Sequence, residues 1–86
     1  MISEVDFLDE LKLQGVGFFV GVPDSLMKSL NYQISNSCSA NEHVIASNEG
    51  SAVAHAIGHF AATEGIAAVY MQNSGLGNAY NPLISL

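Results

Sequence analysis

Basic side chains are scarce in this sequence. Lys12 and Lys28 are its only lysine or arginine residues, against eight Asp and Glu, and the net charge is −6. Proteins that bind a nucleic-acid backbone need clustered lysine and arginine, and attraction to anionic membranes depends on similar clusters. We therefore expect neither nucleic acid nor membrane as a partner. An anionic ligand would have to be held by backbone N–H groups, by a metal or by the cations of another chain.

Cysteine and long apolar runs are scarce as well. Cys38 is the single cysteine, so an internal disulfide is excluded and a reducing compartment is favoured. Residues 1–11 lack the basic region and the continuous apolar stretch of a signal peptide. No apolar run reaches the roughly 20 residues of a membrane span. The expected location is cytoplasmic.

The chain is nevertheless rich in apolar residues. Hydrophobic residues make up 49% of its 86 residues and charged residues only 12%, which argues against disorder. The length suffices for one small domain. Because a small free-standing domain normally carries more charge, we expect part of the apolar surface to meet another domain or subunit.

Three short apolar runs predict strands, at residues 17–22, 43–46 and 66–71. Helical patterns precede, separate and follow them. Strands that are almost wholly apolar and alternate with helices indicate an open parallel α/β sheet with helices on both faces. Three strands make a thin sheet, so the sequence predicts about half of a larger domain.

Local signals predict where the helices begin and end. Ser3 is suited to cap the first helix and Gly15 to end it. Ser47 or Asn48 is suited to cap the helix after the second strand. Pro82 leaves two possibilities: it occupies the first helical position, or it lies within a helix that begins earlier.

Polar segments follow each predicted strand: VPDS, SNEG and QNSG. In open parallel sheets, ligands bind at the carboxyl ends of the strands. Glu49, in the second segment, has two interpretations at this point. A carboxylate in the first turn of a helix is stabilised by the macrodipole by about 0.3–1 kcal/mol, or Glu49 is the working group of a site.

Two further motifs are weak. GLGNAY, residues 75–80, nearly matches a dinucleotide fingerprint, but Tyr80 occupies the third small position. His55 and His59 lie one helical turn apart, but the HExxH pattern fails because Ala56 follows His55. We predict no metal ligands in this chain.

The three loops together resemble the thiamin-diphosphate-dependent decarboxylases of the phosphonopyruvate and sulfopyruvate group. The segments that carry the resemblance are FFVGVPDSLMKSL, SNEGSAVAHAIGHFAAT and VYMQNSGLGNAYNPLISL. It spans nearly the whole chain and is weakest at residues 31–42. It implies that residues 1–86 are the N-terminal portion of a pyrimidine-binding domain. The diphosphate-binding domain, with its GDG motif, is absent from this sequence.

The resemblance also implies residue roles. Glu49 falls on the glutamate that hydrogen-bonds the aminopyrimidine of thiamin diphosphate, so that its imino form removes the C2 proton of the thiazolium. Burial is expected to raise the pKa of this carboxyl group. Asp24, a proton-transfer group, Ser25 and Gln72 correspond to the substrate side. The residues expected to flank the cofactor ring are Asn73, Ser74, Gly75 and Gly77.

The implied reaction is the non-oxidative decarboxylation of a 2-oxo acid, with phosphonopyruvate ahead of sulfopyruvate. Mg²⁺ and its ligands are expected in the missing domain or in a partner chain, which makes the enzyme an oligomer and the chain alone inactive. A non-catalytic α/β module that binds a partner is the alternative, and a nucleotide-binding domain rests on GLGNAY alone. One departure is Glu64, since relatives usually have a glycine and then a basic residue at this point.

Overall fold

A computed structural model describes residues 3–85, with the exception of the Leu26 side chain. The predicted limits 1–86 therefore extend slightly beyond the described residues. Helix α1 spans Glu4–Leu13, strand β1 Val16–Gly21, α2 Lys28–Ser37, β2 His43–Ile45, α3 Glu49–Thr63, β3 Ile66–Tyr70 and α4 Leu76–Ile84. Short 3-10 helices at Ser25–Met27 and Asn73–Gly75 lead into α2 and α4. No helix within residues 3–85 is both long and apolar enough to cross a membrane.

The strands form a parallel sheet in the order β2-β1-β3. One face packs on α3 through Phe18, Val20, Ala46 and Ala52, and the other packs on α1 and α2 through Leu8, Phe19 and Ile34. Helix α4 packs beside α3. The predicted fold class, an open parallel α/β sheet covered on both faces, is confirmed.

The helix ends follow the local signals. The Ser3 Oγ atom accepts a hydrogen bond from the Asp6 N–H at 3.1 Å, and the Asn48 side chain accepts one from the Ser51 N–H at 2.9 Å. Gly15 follows α1 with a φ of 99°, as a helix-ending glycine does. Pro82 lies inside α4, so the second of its two possibilities is correct.

The side chain of Tyr70, in β3, reaches across the central strand β1. Its ring lies over Gly21, where any side chain would overlap it, and its hydroxyl is 2.7 Å from His43 Nε2 on the far strand. Burial raises the pKa of Tyr70 and lowers the pKa of His43. A polar contact thus joins the two outer strands across a glycine.

Candidate cofactor site

The predicted site residues lie at one edge of the sheet. The strands are parallel, so the segments after β1, β2 and β3 all leave from the same edge. Asp24 and Ser25 follow β1, Glu49 follows β2, and Gln72 follows β3. The chain after β1 turns onto one face and the chain after β3 onto the other, which opens a crevice between these two strands.

Glu49 is the first residue of α3 and is 7% exposed. Its position is fixed on both sides in sequence, because Ala46 is buried at the end of β2 and Asn48 caps the helix. Among the described residues that are buried, Glu49 is the one that carries a charge. A buried carboxylate requires hydrogen-bond partners, since its desolvation is otherwise costly.

The first turn of α4 and the residue before it supply the contacts of this carboxyl group. Asn78 Nδ2 donates a hydrogen bond to Glu49 Oε1 at 2.9 Å. Gly75 lies against the carboxyl group, because a Cβ at this glycine would be 2.6 Å from Glu49 Cγ and 2.7 Å from Oε2. Residues 49 and 78 are far apart in sequence, so α3 and α4 must pack together before the carboxylate is held.

The hydrogen bond from Asn78 lowers the pKa of Glu49, and the backbone N–H of Glu49 lowers it further. Burial acts in the opposite direction but has the smallest effect. Burial thus raises this pKa as expected, but in this chain the net shift of the Glu49 pKa is downward. The reason is that donors stabilise the charged form more than the loss of water destabilises it.

The segment after β1 contains a second polar group. Ser25 Oγ is 3.5 Å from Asp24 Oδ1, and the Asp24 carbonyl accepts a hydrogen bond from the Met27 N–H at 2.9 Å. Ser25 also lines an open cavity of about 510 Å³ together with Lys28, Ser29 and Tyr32. Lys28, one of the two lysines of the sequence, therefore lies beside the segment that follows β1.

The remaining predicted residues form the turn into α4. The Gln72 carbonyl accepts a hydrogen bond from the Gly75 N–H at 2.9 Å, and the side chains of Gln72, Asn73 and Ser74 are exposed. Gly77 is exposed, and no atom lies within 4 Å of the Cβ position built on it. Of this group, Gly75 is the residue that the fold brings against Glu49.

Asn78 is the site residue that the sequence did not predict. It lies within the segment QNSGLGNA, three positions after Gly75. A polar residue in the first turn of a helix is normally exposed, and no local pattern signals a partner in another helix. The sequence feature that could have indicated Asn78 is the segment QNSGLGNA, which already contained predicted site residues and in which Asn78 lies one helical turn after Gly75.

The histidines have other contacts. His59 stacks on Phe18, with ring centroids 4.5 Å apart and an angle of 9° between the planes. His43 contacts Tyr70, and His55 is exposed. In the part of the chain that the structure describes, no three His, Cys, Asp or Glu residues are grouped so that they could hold a metal ion.

Comparison with known proteins identifies the family. Residues 4–86 match the family model described as "Thiamine pyrophosphate enzyme, N-terminal TPP binding domain". The chain is 41% identical over 87 aligned residues to a phosphonopyruvate decarboxylase from Streptomyces hygroscopicus. The alignment covers 100% of the chain and 21% of that relative, so the chain spans about a fifth of its length. No solved structure matches significantly.

The resemblance of the three strand-end loops is thereby confirmed at the level of the family. A buried carboxylate after the second strand and the glycine-rich turn after the third lie within the matched residues. The chain belongs to the thiamine pyrophosphate enzymes and matches their N-terminal TPP binding domain over residues 4–86.

Proposed function

We propose that this chain is part of the pyrimidine-binding domain of a thiamin-diphosphate-dependent 2-oxo acid decarboxylase. Phosphonopyruvate is the first proposed substrate, with phosphonoacetaldehyde and CO₂ as products, and sulfopyruvate is the second. The observation that carries the proposal is the Glu49 carboxyl group, which is 7% exposed and has Oε1 held at 2.9 Å by Asn78. The identity of 41% to a phosphonopyruvate decarboxylase supports the order of substrates.

The residues at this edge fit the pyrimidine end of the cofactor. Glu49 offers a fixed carboxylate that can hydrogen-bond a ring nitrogen and hold or release a proton there. Asn73, Ser74 and Gly77 are proposed to flank the cofactor ring, and no atom lies within 4 Å of the Cβ position at Gly77. Bound thiamin diphosphate would supply the electron sink for the electron pair that is left behind when CO₂ departs.

The substrate side is assigned to the segment after β1. Asp24, at 3.5 Å from Ser25 Oγ, is proposed as a proton-transfer group, with Ser25 and Gln72 as substrate contacts. Lys28 lines the same cavity as Ser25 and supports an anionic substrate. The compartment is proposed to be the cytoplasm, since Cys38 is the one cysteine of the sequence.

The diphosphate end is assigned elsewhere. The two lysines and the absence of a GDG motif leave no anchor for the diphosphate and Mg²⁺ in this sequence. We therefore assign these ligands to a diphosphate-binding domain or to a partner subunit, in an oligomer whose site lies between domains. The same observation favours the alternative, a non-catalytic α/β module that serves in binding or assembly. By itself, the 86-residue chain is proposed to be inactive.

The test is an assay of aldehyde formation by the intact protein that contains this chain, with thiamin diphosphate and Mg²⁺. Phosphonopyruvate, sulfopyruvate and pyruvate are offered in parallel to the parent and to Glu49→Gln. Because the substitution removes the group that holds the proton, we expect turnover of phosphonopyruvate to fall by about 10²–10⁴-fold.

Glu42→Gln is the matched control. Glu42 also accepts a hydrogen bond, from the Ser39 N–H at 2.7 Å, but it precedes β2 and so lies away from the site edge. Full turnover in Glu49→Gln would refute the role of Glu49. No turnover and no cofactor binding by the parent would leave the non-catalytic module.

A further inference from the structure

Asn78 makes two separate contacts with the start of α3. Its side chain donates to Glu49 Oε1 at 2.9 Å. Its backbone carbonyl lies against Gly50, since a Cβ built on that glycine would be 3.0 Å from the Asn78 oxygen. One residue of α4 therefore contacts both the carboxylate and the neighbouring backbone.

The Asn78 carbonyl that lies against Gly50 also lacks its regular helical partner. In a regular helix, the Asn78 carbonyl would accept a hydrogen bond from the N–H of the residue four positions later. This residue is Pro82, which has no N–H. The interior proline thus leaves the Asn78 carbonyl without its helical donor at the place where α4 meets Gly50. The absence of a side chain at Gly50 allows this close approach, and the hydrogen bond to Glu49 holds the Asn78 side chain.

We propose that Asn78 is a positioning residue that holds the Glu49 carboxyl group against Gly75, ready for the cofactor ring. This inference rests on the proposed function, since it assigns Asn78 a role toward the same site. Asn78 is 2.9 Å from Oε1, and Gly75 lies beside Oε2, so the two residues restrain both carboxyl oxygens. The carboxylate then needs no rearrangement when a ring nitrogen arrives, which is the advantage of a preorganised site.

An asparagine suits this task better than an acid or a purely donating residue. Its amide has two N–H donors and a carbonyl acceptor, so it can donate to a carboxylate. After a half turn of the amide, the same side chain accepts a hydrogen bond from a protonated carboxyl group. Glu49 therefore keeps a partner in both protonation states. The lowered pKa of Glu49, whose first cause is Asn78, agrees with donation to the charged form.

The experiment compares Asn78→Asp with Asn81→Asp in the intact protein. Both substitutions add one negative charge to α4 at nearly constant size, and both side chains are exposed, but that of Asn81 contacts Ser85 instead of Glu49. The first readout is the pKa of Glu49 in the cofactor-free protein, which is measured by NMR of its labelled carboxyl carbon. The second is kcat and KM with thiamin diphosphate and Mg²⁺.

We expect Asn78→Asp to raise the pKa of Glu49, because two carboxylates at hydrogen-bond distance cannot both ionise easily. We expect kcat to fall by about 10²-fold, with a smaller change in KM. Asn81→Asp should change neither quantity. A merely structural asparagine predicts an unchanged kcat in a folded Asn78→Asp protein, because an acidic side chain in the first turn of α4 is stabilised by the macrodipole.

Asn78→Leu removes the donor without adding charge and must also raise the pKa of Glu49, which covers the case of a misfolded Asn78→Asp protein. An unchanged pKa and kcat in a folded Asn78 variant, in a parent that binds thiamin diphosphate, would overturn this inference alone. A parent that binds no thiamin diphosphate would overturn the proposed function and the role in catalysis, whatever the pKa of Glu49 does.

Discussion

Gly75 is the residue at which space in the site is most restricted. Its φ of −70° and ψ of −15° are ordinary for any residue, so the glycine is not required by its own backbone. The restriction comes from Glu49, whose Cδ would be 2.8 Å from a Cβ at position 75. Because Gly75 has no side chain, the Glu49 carboxyl group fits the site and α4 can pack on α3.

Gly75→Ala should therefore destabilise the protein. The added methyl group displaces either the carboxylate or α4, and overpacking of this kind costs about 1–3 kcal/mol of unfolding free energy. Chemical denaturation of the parent and the variant measures the difference. Gly58→Ala is the matched control, since Gly58 lies inside α3 and has no atom within 4 Å of its Cβ position.

The control should move in the other direction. Alanine in a helix interior is more stable than glycine by about 0.5–1 kcal/mol, so Gly58→Ala is expected to raise the free energy of unfolding. Equal effects of the two substitutions would show that the Gly75 position is not restricted by Glu49.

Asn78 shows why this part of the site cannot be predicted from local propensity. Glu49 could be singled out because it follows a predicted strand and begins a predicted helix. Asn78 acquires its role from a hydrogen bond to a residue 29 positions earlier, in another helix. Propensity acts within a segment, whereas this contact joins two helices.

At the scale of the elements, the helix caps are the features that the sequence predicts best. Ser3 and Asn48 hold helix ends through side-chain hydrogen bonds to residues three positions later. Such bonds are local, so the sequence predicts them well. The end of α3 is different: the residue in the left-handed conformation is Glu64, with a φ of 60°, and Gly65 follows it. A departure noted in the sequence thus coincides with an unfavourable backbone conformation.

Glu64→Gly should stabilise α3. A side chain in the left-handed region costs roughly 1–2 kcal/mol, and part of the gain is offset because glycine has more freedom in the unfolded chain. We expect a net increase of about 0.5–1 kcal/mol in the free energy of unfolding. Glu64→Ala, which removes the charge and keeps the Cβ atom, should give no such gain. Thermal unfolding of the three proteins makes the comparison, and equal gains in both variants would contradict the backbone explanation.

At the scale of the whole molecule, the free energy of unfolding depends on pH through groups in both the sheet and the site. Burial lowers the pKa of His43 below its ordinary 6.5, so the unfolded chain takes up this proton at a higher pH than the folded chain does. The backbone N–H of Ser39 lowers the pKa of Glu42 below 4.5, and Asn78 does the same for Glu49. In all three cases, the unfolded chain binds the proton more readily.

The free energy of unfolding should therefore decrease in two steps as the pH falls. The first step begins below 6.5 and belongs to His43, and the second begins below 4.5 and belongs to the two glutamates. Denaturation curves across this range measure both steps. His43→Gln should remove the upper step and leave the lower one. A stability that stays constant from neutral pH to roughly pH 5 would contradict the burial of His43.

Part of the apolar surface that the composition predicted lies along β3. A groove of about 490 Å³ runs over one face of this strand, and its lining includes Phe60, Ile66 and Leu83. A second groove, of about 330 Å³, lies on the other face and is lined in part by Phe7 and Leu30. That another domain or subunit covers this surface stays a prediction.

The contact between Tyr70 and His43 has a consequence for how the chain folds during synthesis. Strand β1 lies in the middle of the sheet and leaves the ribosome early, but one of its two partners, β3, comes last. The hydrogen bond between Tyr70 and His43 requires all three strands, because it passes over Gly21 from one outer strand to the other. Pairing between such distant segments is slow. The nascent chain therefore cannot complete its three-stranded sheet until Tyr70 has emerged, and the Tyr70–His43 contact marks that step.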